Sequence, residues 1–134
     1  MVGRRHRVRR RGVTRRVDLL SVDEVPEGTL KMAFVDGTDQ VVVVHTGGEI
    51  RAFQGICSHE YFELDKGFLT GGGGIGANGR PAGTLTCALH LSRFDLADGE
   101  ALDPPAEVPL ATYPVTVEDG RICIDIPDGP LPVN

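Results

Sequence analysis

From Val17 onward the chain sets short apolar runs between glycine, proline and aspartate, and no segment sustains a long helical period. Arg16 to Leu20 reads as a short strand. Ser21 to Gly28 reads as a turn or single helical turn, with Ser21 as N-cap and Glu24 three residues on. Thr29 to Val35 alternates as a strand, and Asp36-Gly37 opens a turn of the kind that favours positive φ. Gln40 to His45 contains four consecutive valines, the mark of a buried strand. Gly47-Gly48 turns the chain and Glu49 to Gln54 returns it, giving a β-meander. Further on, Thr84 to Thr86 leads into Cys87 and Ser92 to Asp95 leads away from His90. Asp98-Gly99 is a turn signal, and Asp103-Pro104-Pro105 is a stiff loop because each proline fixes its φ. Tyr113 to Glu118, Asp119-Gly120 and Arg121 to Ile126 form the clearest hairpin, and Pro127 to Asn134 is an extended tail. The pattern predicts an all-β domain of short antiparallel strands.

Composition narrows the picture. A chain of 134 residues suggests one domain, long enough for a modest core. With no Trp and few other aromatics, Val, Leu and Ile must supply most of that core. No apolar run of about 18 residues is present, so no transmembrane helix is expected. Charge is uneven: residues 1–16 hold eight arginines and no acid, whereas residues 17–134 hold six basic residues against all 19 acids, a net −13. Residues 1–16 therefore read as a basic, disordered arm, or as an extension from a start site assigned too far upstream, ahead of a domain over 17–134. No apolar stretch follows these arginines, so they are not a secretory signal. The acidic body argues against nucleic acid as partner and suits docking to a basic protein surface.

The chemistry concentrates in two short stretches. Cys57-Ser-His59 and Cys87-Ala-Leu-His90 each offer a thiolate and an imidazole, with 27 residues between them. Together they use two of the three cysteines and two of the four histidines. Structural zinc would take all four ligands, but its usual spacing groups cysteines with cysteines and histidines with histidines. A mononuclear copper site would use one cysteine and leave the other unexplained. A two-iron, two-sulfide cluster with both cysteines on one iron and both histidines on the other suits the mixed order, since two loops then reach each iron from either side. Other features read as structural. Gly74 to Gly79 satisfies GxGxxG, but Pro81 and Gly83 follow it where a dinucleotide site needs a helix. His45 is a strand-end residue, and Cys123 is a buried thiol facing away from Ile122 and Ile124.

Cys-x-His followed at a distance by Cys-x-x-His resembles the signature of Rieske proteins, and the resemblance spans residues 17 to about 134. It implies an antiparallel β-sandwich with two cluster-binding loops at one end. It implies one [2Fe-2S] cluster, with Cys57 and Cys87 on one iron and His59 and His90, near the surface, on the other. Within the family the chain looks most like small ferredoxins of multicomponent aromatic or alkene monooxygenases, through Thr84 to Leu91, Leu110 to Val117 and Gly129-Pro-Leu-Pro. Ferredoxins of ring-hydroxylating dioxygenases are the alternative, and a structural zinc or redox-sensing module is the alternative of another class. The resemblance implies a carrier rather than an enzyme. It would take one electron from an NAD(P)H-dependent flavin reductase and pass it to an oxygenase, as a free monomer with no membrane or nucleic-acid partner. No disulfide framework and no signal peptide place it in the cytoplasm.

Two departures from the family pattern set further expectations. The spacer between the ligand pairs is longer than the family's usual one. The excess over Thr70 to Gly83 reads as a mobile, glycine-rich surface insertion near the cluster but not in it. Phe62 and Leu89 stand where respiratory relatives carry an extra cysteine pair, so that disulfide cannot form. Ser92 is expected to offer a hydroxyl to the cluster, while Phe94 lacks the hydroxyl of the respiratory tyrosine. This points to the low end of a range of roughly −150 to +300 mV. Glu60 and Glu63 are expected to border the docking face.

Overall fold

In the computed structural model the described residues are 14–37, 39–57, 62–71, 74–89, 91–104, 106 and 108–127. They form ten strands in three antiparallel sheets. The first sheet has the order β1 (Thr14–Ser21), β10 (Arg121–Pro127), β9 (Val115–Glu118). The second has the order β2 (Thr29–Val35), β3 (Asp39–Thr46), β4 (Glu49–Gln54), β8 (Thr112–Tyr113). The third, much smaller, is β5 (Phe68–Thr70), β6 (Thr84–Thr86), β7 (Arg93–Asp95).

The four valines of β3 explain how these sheets stack. Successive side chains of a strand point to opposite faces. Val41 packs in one core cluster with Ala52, Ile124 and Ile126, and Val43 in another with Ala33, Leu20 and Ile122, both between the first and second sheets. Val42 and Val44 point the other way, into a cluster with Phe53, Leu64, Leu85, Phe94 and Leu96. The middle sheet is therefore covered on both faces, and β3 must be apolar at consecutive positions rather than alternate ones.

Local signals act as expected at several places. Ser21 Oγ accepts from Asp23 N–H at 3.3 Å and Glu24 returns to the Ser21 N–H at 3.0 Å, a capping box on a 3-10 turn at Val22–Glu24. Asp36-Gly37 and Asp119-Gly120 both take positive φ at hairpin turns. Three differences have physical causes. β1 starts at Thr14, because its pairing with β10 continues to Thr14↔Pro127 and places Arg15 and Arg16 inside the strand. The expected strand from Tyr113 to Glu118 splits at Pro114, which lacks an N–H for the ladder, and its two parts join different sheets. β5 was not expected, since three residues after a glycine carry no readable alternation.

The glycine-rich insertion also differs from the mobile loop expected. Gly74 N–H donates to Asp95 at 2.9 Å, Gly76 N–H to Arg80 O at 2.8 Å, and Ala82 N–H to Gly74 O at 2.9 Å. Asn78 N–H donates to Glu49 Oε2 at 2.7 Å, and the Asn78 side chain donates to Gly47 O. The segment is a small hairpin braced on the β3–β4 turn. That turn, at Thr46↔Glu49, lies at the opposite end of the meander from Val41↔Gln54, where β4 runs on toward Cys57.

Candidate metal centre

The two cysteines terminate equivalent hairpins. An isolated bridge pairs Ile56 with Glu63, and Cys57 N–H then donates to Phe62 O at 2.9 Å. In the second loop Thr86 pairs with Arg93, and Cys87 N–H donates to Ser92 O at 2.9 Å. In both, the cysteine amide bonds to the carbonyl five residues on. The sequence spacing thus reflects one backbone design used twice. Both thiols are buried, 1% and 2% exposed, in the same core cluster with Phe53, Leu85 and Phe94. Cys123, by contrast, is buried in β10, opposite Asp18 and Thr116 in the ladder and outside that cluster. His59 and His90 lie outside the described residues, as does Glu60.

Each loop is held from behind. Gln54, 5% exposed, donates through Nε2 to Ile56 O at 2.8 Å and accepts Ala111 N–H on Oε1 at 2.7 Å. Gly55 N–H donates to Gln40 O at 2.9 Å, and a Cβ at Gly55 would stand 2.8 Å from the Gln40 carbonyl carbon, so only glycine fits. Gly67 sits so close to the Thr86 carbonyl that an added Cβ would overlap its oxygen. Phe62 is half-buried and packs on the cluster that holds both cysteines, while Leu89 is exposed.

The second loop is clasped by residues 102–106. Arg93 makes a two-point ion pair with Asp103, at 2.6 and 3.2 Å, and Leu102 N–H donates to Arg93 O at 2.8 Å. Asp103's carboxyl is held below the usual range chiefly by the Arg93 hydrogen bond. Ser92, 1% exposed, accepts Ala106 N–H on Oγ at 3.4 Å. Phe94 is fully buried. Glu63 is engaged by Gln40 at 2.9 Å and Lys66 at 3.3 Å, which lower its carboxyl pKa in that order. It is therefore tied down at the base of the first loop. His45 bonds Val25 O through Nδ1 at 2.8 Å, at the far end of β3.

Leu91 is the residue that pattern reading missed. Its backbone is left-handed, φ 59°, and its N–H donates to Cys87 O at 2.9 Å. For a residue with a Cβ that conformation costs about 1–2 kcal/mol. The side chain is 61% exposed. Neither property leaves a trace in apolar periodicity.

Two buried thiols at the tips of paired hairpins suit a soft-metal centre, and imidazoles supplied two and three residues on would complete a mixed nitrogen–sulfur set. The model of the Rieske [2Fe-2S] domain family matches residues 15–114. The 3-phenylpropionate/cinnamic acid dioxygenase ferredoxin subunit of Escherichia coli (strain K12) is 35% identical over 113 residues, 84% of this chain and 95% of that protein. The ferredoxin component of the naphthalene 1,2-dioxygenase system from Pseudomonas aeruginosa is 32% identical over 110 residues, 82% of this chain and 94% of that protein. Among solved structures, the Sphingomonas yanoikuyae B1 ferredoxin superposes with a TM-score of 0.69 at 29% identity, covering 84% of this chain and all of that one. On these matches the chain belongs to the Rieske [2Fe-2S] domain family, whose cluster takes two cysteines and two histidines.

Proposed function

We propose that this chain is a one-electron carrier between an NAD(P)H-dependent flavin reductase and the terminal oxygenase of a ring-hydroxylating dioxygenase system. The observation that carries this reading is the match along 95% of a dioxygenase ferredoxin subunit. The sequence alone put a diiron monooxygenase first. The ferredoxin relatives matched above belong to dioxygenase systems, so the second assignment replaces the first. The cofactor implied by the family also displaces the zinc alternative.

Cys57 and Cys87 are the thiolate ligands in this reading, and His59 and His90 the imidazole ligands. When bound, the cluster supplies one reversible electron at a potential that nearby hydrogen bonds raise. The chain's own part is to bury the thiolates, fix the loops and exclude water. Ser92 Oγ accepts an amide hydrogen from Ala106, which leaves its own O–H available as a donor. Phe94 fills the space beneath without a hydroxyl. No described helix is long and apolar enough to cross a membrane. The net −13 of residues 17–134 would steer it to basic faces on its partners.

Stopped-flow transfer tests the reading. The reduced protein should reoxidise rapidly on mixing with the oxygenase of the 3-phenylpropionate dioxygenase system, more slowly as salt rises. Transfer to a diiron hydroxylase and none to ring-hydroxylating oxygenases would restore the first assignment.

A further inference from the structure

Among the described residues, three that are not glycine have left-handed backbones: Asp36 (φ 55°), Leu91 (φ 59°) and Asp119 (φ 51°). The two aspartates precede glycines in hairpin turns, where a short polar side chain tolerates that conformation. Leu91 has no such relief. The loop requires the conformation, since the chain must turn back at Leu91 for Ser92 O to accept the Cys87 N–H at 2.9 Å. It does not require leucine, because glycine would adopt the same backbone without strain. With 61% exposure the side chain gains little from the core. The isolated chain thus keeps a strained backbone in order to hold an apolar group in water. Strain of this kind persists at functional sites.

Its surroundings point to the use. Eight large apolar side chains are exposed among the described residues, and four of them, Leu89, Leu91, Leu102 and Val108, lie on the second ligand loop, in its clasp or just after it. Leu102 is hydrogen-bonded to Arg93, directly beside the loop. Apolar side chains concentrated around one loop, on a body of net −13, fit an apolar socket with a basic rim. We propose that Leu91, flanked by Leu89 and Leu102, is a recognition knob that enters such a socket on the oxygenase. It would hold the loop's histidine position against the electron acceptor. This rests on the carrier reading. The oxygenase is the stated occupant because the ferredoxin relatives are named as components of dioxygenase systems and the acidic body favours a socket with a basic rim.

The test uses the cluster-loaded protein with Leu91→Asn and Leu91→Gly. Asparagine tolerates the backbone but removes the apolar contact, and glycine relieves the strain as well. Electron transfer to the oxygenase of the Escherichia coli 3-phenylpropionate system, driven by that system's reductase, is followed against carrier concentration. Both variants should raise KM for the carrier at least tenfold with kcat, cluster EPR and potential unchanged, and Leu91→Gly should raise Tm. Unchanged KM in both variants overturns the knob while leaving the carrier reading intact, as does an effect confined to the reductase half-reaction. A lower Tm for Leu91→Gly would show that the leucine is needed for packing, and overturns it too. No transfer by the wild-type chain would overturn both readings together.

Discussion

Gly67 is the point where the smallest covalent change should do the most damage to the centre. It joins the 3-10 turn Leu64–Lys66 to β5, and β5 pairs with β6 immediately before Cys87. A Cβ at this position would overlap the Thr86 carbonyl oxygen and stand 3.1 Å from its carbon. Both atoms are backbone, so no rotamer change relieves the contact. Normal separation requires β5 to withdraw by roughly 1 Å. That displacement weakens one or two ladder hydrogen bonds at about 1 kcal/mol each. It also opens the packing of Leu64, fully buried beside both cysteines, at an overpacking cost of about 1–3 kcal/mol. Gly67→Ala is thus expected to lose roughly 2–5 kcal/mol. Thermal unfolding of the loaded protein, with iron and acid-labile sulfide per chain, measures both consequences: a lower Tm and partial cluster content. Gly71→Ala is the control, because nothing lies within 4 Å of a Cβ there. A Gly67→Ala protein with wild-type Tm and full cluster content would refute the reasoning.

Three further outcomes follow from other parts of the molecule. The Tyr113 hydroxyl is buried without a hydrogen-bond partner among the described residues, and burial, with Asp39 adding to it, pushes its pKa up to about 12. The unfolded phenol ionises near 10, so stability should fall as pH rises from 10 through about 12, by up to roughly 2–3 kcal/mol. Denaturant titration should show that Tyr113→Phe lacks this fall and is no less stable at pH 7, and an unchanged alkaline slope would contradict the assignment. At Gly76 a Cβ would meet only the ends of the Arg51 and Glu49 side chains, which can swing aside, so Gly76→Ala should cost no more than about 0.5 kcal/mol in chemical denaturation with the cluster spectrum unaltered, and a larger loss would show that those two side chains are fixed. Ser92→Ala should lower the reduction potential by roughly 40 mV, the one-electron equivalent of about 1 kcal/mol of hydrogen bonding, and voltammetry showing no downward shift would remove Ser92 from the tuning set.

What the sequence disclosed and withheld divides along physical lines. Features set by neighbours in the chain were legible: the Ser21–Glu24 capping box, the Asp-Gly turns and the double-sided burial signalled by the β3 valines. The family was legible because metal chemistry restricts residue type and spacing together. Features set by distant partners were not. Nothing near Asn78 announces that Glu49 and Gly47 will hold it, and a glycine-rich run reads as mobile until those partners are placed. Gln54 looks like any strand end until Ala111 and Ile56 close on its amide. Leu91's positive φ follows from the closure of its loop, which periodicity does not report. The relatives favour the dioxygenase alternative over the monooxygenase reading, and cluster ligands could not separate the two because they record what is bound and not the partner.

The central claim is that Cys57, His59, Cys87 and His90 hold one two-iron cluster in an electron carrier. Pulsed EPR of the dithionite-reduced protein, with its histidines labelled with nitrogen-15, tests it most directly. The account predicts a reduced-cluster signal carrying couplings from two histidine nitrogens, and the loss of that signature in His90→Ala. A reduced signal without nitrogen coupling, or a colourless protein with one zinc per chain, would contradict it.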